Sequence, residues 1–347
     1  MVLHIGTHKT ATTMIQQKFW TNSPLLSERG VIYPRLDNNH GHHGLTAPWS
    51  PVEAVDPGFL LAGGAVEAFG ALARRYAGED VTVFLSSEEF SRSGPNNGVD
   101  YGELRGYLSD FDEVQVVCVL RPQWQFMQSV YVELSKVMAP PEPARFIITS
   151  QKKGVFAGLW GDYNLLLDRL EGAFGAENVT FLDYETCTEG VGGVVGAMLD
   201  VLGLDPTDDG LRDMCLGASN VSAPALACWV ANQLTAPDVA SDWLVDHAQR
   251  ALKAEFGEPL STCVFSRDEM YSLQKWCQPL NDKLQRRRQA VQPGFQMAPL
   301  APTGVNLFRE DVSAAFWLRM ARIGFGLLMG RPEAEQGLSR PTFNTVQ

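Results

Sequence analysis

The sequence predicts an α/β protein, with a mostly parallel central sheet flanked by helices and a helical C-terminal portion. Three observations predict it. Short β-branched, apolar segments alternate with segments of helical spacing up to about residue 204, the pattern of a parallel sheet covered on both faces. The first apolar segment runs straight into a glycine and then a helix. After Leu204 the strand signals fade and helical spacing takes over. The expected organisation is an α/β core over 1–204, with a mostly helical portion over 205–347 packed on it as part of one structural domain.

In chain order, Val2 to Gly6 reads as a short buried strand, and Thr12 to Trp20 as a helix with Met14, Ile15, Phe19 and Trp20 apolar. Pro34 to Pro57 is a loop rich in histidine, asparagine and proline. Gly64 to Tyr76 has helical spacing, and Val81 to Leu85 is a strand. Val114 to Leu120 (VQVVCVL) is the strongest strand signal, and it meets Arg121-Pro122 and a helix to about Val137. Proline suits a first helical turn, where its missing N–H would have had no partner. Asp162 to Phe174 and Gly193 to Leu202 read as helices around a short strand, Val179 to Leu182. Further helices follow over Ala223 to Leu234, Trp243 to Phe256 and Arg267 to Gln289. A proline-bearing linker, Gln292 to Pro302, precedes a last helix from about Asp311 to Met329.

Composition narrows the function. With 347 residues, 45% apolar and 20% charged, the chain has the make-up of an ordinary globular enzyme. A formal charge of −12 excludes a non-specific nucleic-acid binder, which needs a broad basic face. An anionic small ligand needs only a local cluster of N–H groups and a few cations. No window reaches the roughly 18 apolar residues of a membrane span. Nothing at the N-terminus marks it for export. The six cysteines are scattered without a CxxC pair, so a disulfide framework or zinc site is not expected and a cytoplasmic protein is.

Chemistry first shows in HIGTHKTATT, His4 to Thr13. Strand, glycine-started loop and helix together aim backbone N–H groups and a helix N-terminus at one spot, an anion site. Lys9 adds a cation, and Thr10, Thr12 and Thr13 add hydroxyl donors. An ATP-binding loop would read GxxxxGK[ST], whereas here Lys9 comes three residues after Gly6 and no Gly-Lys pair exists. In a second segment, CVLRPQWQFMQSVY, Arg121 caps the best strand and Ser129 lies eight residues on. About two helical turns bring Ser129 back to the face of the helix start. A guanidinium and a hydroxyl can then converge on one phosphate.

Lys9, Thr10, Ala11, Thr12 and Thr13 resemble the 5′-phosphosulfate-binding loop of the sulfotransferases that use 3′-phosphoadenosine 5′-phosphosulfate (PAPS). Arg121 and Ser129 resemble their 3′-phosphate motif. The resemblance is to the bacterial and carbohydrate-type members. It implies a P-loop-NTPase-like sulfotransferase fold and release of adenosine 3′,5′-bisphosphate. It also implies metal-free in-line transfer to a hydroxyl or amine of a carbohydrate, lipid-linked or small-molecule acceptor. Gly6, Thr7, His8, Lys9, Thr10, Ala11, Thr12, Thr13, Arg121 and Ser129 are the implied nucleotide ligands, with Lys9 also catalytic at the bridging oxygen. A late loop, CLGASNVSAP, adds Asn220 and Ser222 as further ligands or as a plain helix cap. The family's usual glycine is Ala11 here, and a positive φ there would cost about 1–2 kcal/mol.

The acceptor must lose a proton. FLSSEEF places Glu88 and Glu89 at the C-terminal end of a strand, the edge where ligands bind in open α/β sheets. Glu88 is the better match to the base of the heparan-type enzymes, and both glutamates also suit a helix start. NNHGHHG supplies His40, His42 and His43, as a polar surface loop, a substrate contact or an alternative base. No carboxylate or cysteine pattern completes a metal site around them. His4 is expected to be a satisfied core residue.

Three further features stand apart from these motifs. Ala139 to Gly154, with three prolines, Arg145, Lys152 and Lys153, is expected to be a long lid or solvated loop. Arg286 to Arg288 read as a solvated helix end. The 312–330 helix either packs on the core or lies on a membrane surface. The competing functions are a P-loop kinase, which needs the missing Gly-Lys pair, and a non-catalytic nucleotide-binding scaffold. The oligomeric state cannot be read from the sequence.

Overall fold

The structure is a computed structural model and describes residues 1–36, 38–52, 56–94, 98–207, 210–212 and 223–328. In chain order the elements are β1 (Val2–His4), α1 (Thr12–Thr21), α2 (Ser23–Glu28), β2 (Val31–Ile32), α3 (Gly64–Tyr76), β3 (Thr82–Ser86), α4 (Tyr101–Tyr107) and β4 (Gln115–Leu120). Then come α5 (Gln123–Leu134), α6 (Pro143–Lys153), β5 (Val155–Phe156), β6 (Leu159–Trp160), α7 (Tyr163–Phe174), β7 (Val179–Asp183), α8 (Tyr184–Glu189) and α9 (Gly193–Val201). Last are α10 (Ala225–Thr235), α11 (Asp242–Phe256), β8 (Thr262–Cys263), α12 (Arg267–Gln289), β9 (Leu307–Phe308) and α13 (Ala314–Leu328).

The chain forms two compact units. The first comprises Met1–Phe126, Ile148–Leu216 and Lys275–Leu300, and the second Met127–Ile147, Gly217–Gln274 and Ala301–Gln347.

The first unit is built on a five-stranded sheet in the order β2-β3-β1-β4-β7, parallel throughout. This is the expected α/β class. Strand residues alternate between its two faces. Leu3, Leu85, Val116, Cys118 and Leu120 pack with α3, α4 and α7 through Phe69, Leu104 and Leu166. Val2, Phe84, Val117 and Val119 pack with α1, α2 and α9 through Ile15, Phe19, Leu26 and Met198. Burial on both faces explains why β4 reads as an unbroken apolar run. The chain leaves β1 toward β2 and β3, but leaves β4 toward β7. Neighbouring strands β1 and β4 therefore flank the switch point, and ligands of open α/β sheets bind beyond the strand ends there.

The second unit contains α10, α11 and α13 around Leu226, Val230, Ala248, Leu252, Phe316 and Met320, with the parallel pair β8 and β9 alongside. The apolar positions of α13 that could have faced a membrane surface, Phe316 and Met320, are spent inside this core. Among the described residues no helix is long and apolar enough to cross a membrane.

Two expectations are corrected. Most of Ala139 to Gly154 is helix α6 rather than loop. Pro143 opens the helix, where proline costs no hydrogen bond, and its buried positions Pro143, Phe146, Ile147 and Ser150 have the spacing of one helix face. The prolines had concealed that spacing. At the basic end of α12 only Arg286 is exposed to solvent as expected. Arg287 pairs with Asp168 and Glu171, both at 2.7 Å. Arg288 is 1% exposed, bonded to Glu171 and to the carbonyls of Ala176 and Val179. These bonds clamp α12 to the α7–β7 connection.

Candidate active site

The β1–α1 loop stands at the switch point. Beyond β1 the chain stays beside β4, because the Ile5 and Thr7 N–H groups donate to the carbonyls of Val117 (2.9 Å) and Val119 (3.2 Å). It then turns through two left-handed residues, Lys9 (φ 66°) and Ala11 (φ 60°). For residues with a Cβ this conformation costs about 1–2 kcal/mol each, and such strain concentrates at functional sites. Changes of hand between successive residues turn backbone N–H groups inward into an anion-binding concavity. Ala11 is the N-cap of α1 and provides no side-chain cap, and no acidic residue stands in the first turn. The positive end of the helix is thus left without a counter-charge from its own first turn.

The loop hydroxyls divide into two groups. Thr7 Oγ1 donates to the Val119 carbonyl (2.9 Å) and Thr10 Oγ1 to the Thr7 carbonyl (2.5 Å). These two fasten the loop, so Thr10 does not have the spare proton expected of it. Thr12 is buried and its Oγ1 has no partner, whereas Thr13 is exposed.

Arg121 emerges from β4 next to this loop. Its Nη1 donates to the Lys9 carbonyl (3.2 Å) and its Nε to Gln125 (2.9 Å). The guanidinium lies over the Tyr184 ring at 4.8 Å, and the Arg121 carbonyl accepts from the Tyr163 hydroxyl (2.7 Å). The Lys9 turn and Arg121, read separately from the sequence, therefore meet. Ser129 is a half-buried residue of α5 and belongs to the second unit. Asn220 and Ser222 lie outside the described residues.

The two glutamates after β3 separate sharply. A 3-10 turn over Glu88–Ser91 follows Ser87, whose hydroxyl accepts from the Glu89 N–H (3.2 Å). Tyr101 and Trp160 donate to the carbonyls of Phe90 (2.9 Å) and Ser91 (2.6 Å), which fixes the turn. Glu89 is gripped by His8 Nε2 at 3.1 Å and by Arg92 Nε at 2.6 Å. Burial opposes its ionisation, but the hydrogen bonds and charges of His8 and Arg92 outweigh that and hold its carboxyl at about 2. Such a carboxylate is a poor proton acceptor. Glu88 Oε2 instead accepts from Gln16 Nε2 (3.1 Å) and lies 3.9 Å from His43 Nδ1.

Of the loop histidines, His43 meets this cluster, with Nδ1 also 2.8 Å from Ser87 Oγ. His42 is corrected as a base candidate: both its ring nitrogens are taken by backbone, Nε2 by the Pro34 carbonyl (2.8 Å) and Nδ1 by the Ser86 N–H (2.9 Å). Burial lowers its pKa to about 4, keeping it neutral. His40 packs edge-on against Trp20 at 5.5 Å. This loop is anchored to the sheet, since the His42 N–H donates to the Ser86 carbonyl (2.9 Å). Its close approach needs Gly41, where a Cβ would stand 2.7 Å from the Gln16 carboxamide. Among the described residues no group of three or more His, Cys, Asp or Glu could hold a metal ion.

His4 is buried as expected, but it is not fully satisfied. Its Nδ1 is 2.8 Å from Ser86 Oγ, while Nε2 has no partner. Gln16 was missed altogether. A glutamine four residues after Thr12 on α1 carries no motif, and only its spacing, one turn below the loop, could have drawn attention to it.

No family model matches the sequence, and no curated protein does. Among solved structures the chain is similar to the crystal structure of a sulfotransferase from Alicyclobacillus acidocaldarius. The similarity is 14% in sequence identity, over 84% of this chain and 94% of that one, with a TM-score of 0.45.

Proposed function

We propose that the chain is a PAPS-dependent sulfotransferase, transferring a sulfuryl group to a hydroxyl or amine of a carbohydrate, lipid-linked or small-molecule acceptor. The observation that carries this reading is the meeting of Arg121 with the strained Lys9 turn, 3.2 Å apart at the switch point. The residues fit such a donor: an uncapped helix N-terminus, a buried Thr12 hydroxyl without a partner, and two cations on adjoining elements. When bound, the donor supplies the activated sulfur and a phosphate leaving group.

The chain's own residues then divide the work. Backbone N–H groups of the loop and the first turn of α1 hold the 5′ anionic group, with the Thr12 hydroxyl. Lys9 supplies positive charge where the leaving oxygen gains negative charge. Arg121 holds the 3′-phosphate. Glu88 takes the acceptor's proton, oriented by Gln16 and adjacent to His43. Glu89 orients His8 and Arg92 and accepts no proton.

Calorimetry tests the reading. Adenosine 3′,5′-bisphosphate is expected to bind without Mg²⁺, and ATP to bind no better with it. Mg²⁺-dependent ATP binding without bisphosphate binding would return the chain to the kinase reading. Binding without turnover of PAPS against a broad acceptor set would leave a scaffold.

A further inference from the structure

Beneath the β1–α1 loop lies a small polar niche, of which the nucleotide contacts above use only the Thr12 hydroxyl and leave His4 unassigned. His4 is 0% and Thr12 4% exposed, and His4 Nε2 and Thr12 Oγ1 both lack a hydrogen-bond partner. The two atoms converge. A Cβ built on Gly6 would stand 3.0 Å from each of them. Burying a polar atom unsatisfied is costly, and the large majority in native proteins have partners. Two orphans facing one volume, kept clear by the missing side chain of a glycine, mark a place for a third polar atom.

The surroundings say what kind of atom it is. His4 Nδ1 faces the Ser86 hydroxyl at 2.8 Å. With that hydroxyl donating to Nδ1, the imidazole proton sits on Nε2 and points to the niche. Thr12 Oγ1 is a second donor. Thr12 is also the first residue of α1, whose uncapped N-terminus follows the left-handed Lys9 and Ala11. Two donors beside a positive helix end suit an anionic oxygen.

We propose that His4 is a ligand-binding residue: its Nε2–H and the Thr12 hydroxyl together hold one oxygen of the anionic group at the 5′ end of the nucleotide. The assignment rests on the sulfotransferase reading for the identity of that group. Gly6 is then required for the room it leaves. A neutral imidazole adds a directed hydrogen bond without adding charge, complementing Lys9.

The test combines calorimetry with ¹⁵N NMR of the histidine side chains in the full chain. Adenosine 3′,5′-bisphosphate and inorganic sulfate are each expected to shift the His4 Nε2 resonance of the unmodified protein. His4→Phe and Gly6→Ala should each weaken the bisphosphate by about tenfold or more, while leaving adenosine 3′-monophosphate, which lacks the 5′ group, unchanged. Should His4→Phe fail to fold, Gly6→Ala and the NMR titration carry the test. If the bisphosphate binds but the His4 resonance stays still and Gly6→Ala binds it as tightly, a structural water fills the niche and the proposal is overturned. A His4 shift with sulfate but no nucleotide binding keeps the niche and rejects the sulfotransferase reading. No shift with either anion rejects the niche.

Discussion

The Arg121 guanidinium donates to the carbonyl of Lys9 at 3.2 Å, joining the end of β4 to the turn that follows β1. The same guanidinium lies over Tyr184 and bonds Gln125, so three elements aim it. Arg121→Ala is expected to weaken adenosine 3′,5′-bisphosphate by about 10- to 100-fold, the worth of a hydrogen bond to a charged group. Arg121→Lys should recover little, because a lysine cannot reproduce the fork. Calorimetric titration of both variants checks this.

Ala11 at φ 60° gives a prediction of opposite sign. Ala11→Gly removes the left-handed penalty and is expected to stabilise the fold by up to about 1 kcal/mol, less than the full penalty because glycine also loosens the unfolded chain. Chemical denaturation with an unchanged slope would measure it. A loss of stability would mean that Ala11 makes a contact outweighing its strain.

Glu88 and Glu89 are expected to fail differently. Glu88→Gln should lower turnover by roughly 10²–10⁴-fold, the usual range for a lost general base, with bisphosphate affinity nearly unchanged. Glu89→Gln should chiefly lower stability, since it strips His8 and Arg92 of their shared partner. Parallel assays of turnover, binding and thermal unfolding separate the two. A fully active Glu88→Gln would transfer the role to His43.

Acid sensitivity is expected in two stages. His4 and His42 have pKa values lowered by burial from 6.5 to about 4. The unfolded chain therefore binds their protons first, and stability present above pH 6.5 is lost as pH falls from there toward 4. Glu89 lies at about 2 instead of 4.5, so its contribution is complete above 4.5 and disappears as pH falls toward 2. That contribution is on the order of 3 kcal/mol at neutral pH. Unfolding curves across pH should show both stages, and Glu89→Gln should flatten the lower one.

What the sequence disclosed depended on how locally each feature is encoded. The parallel sheet was readable because β4 is apolar on both faces, and the glycine-started loop announced its own turn. Glu88 was placed correctly at a strand end, but its separation from Glu89 rests on His8, Arg92, Gln16 and His43. Arg92 is only three residues from Glu89, but His8, Gln16 and His43 lie far from the glutamates in the chain and only folding brings them there. Arg288 looked like surface because its partners lie more than a hundred positions away in the chain. Helix α6 was hidden by prolines that in fact begin it. The Thr10 hydroxyl, apparently a spare donor, closes on Thr7 within the loop, a local bond that a motif does not reveal.

Gln16 has a consequence of its own. It sits one turn below Thr12 on α1, and its carboxamide reaches both Glu88 and the Ser86 carbonyl. The helix whose first turn would grip the donor thus also steadies the group that would deprotonate the acceptor. On the proposed reading, a shift of α1 as an anion seats at its tip would be passed to Glu88 through the Gln16 hydrogen bond, so that filling one side of the reaction would ready the other.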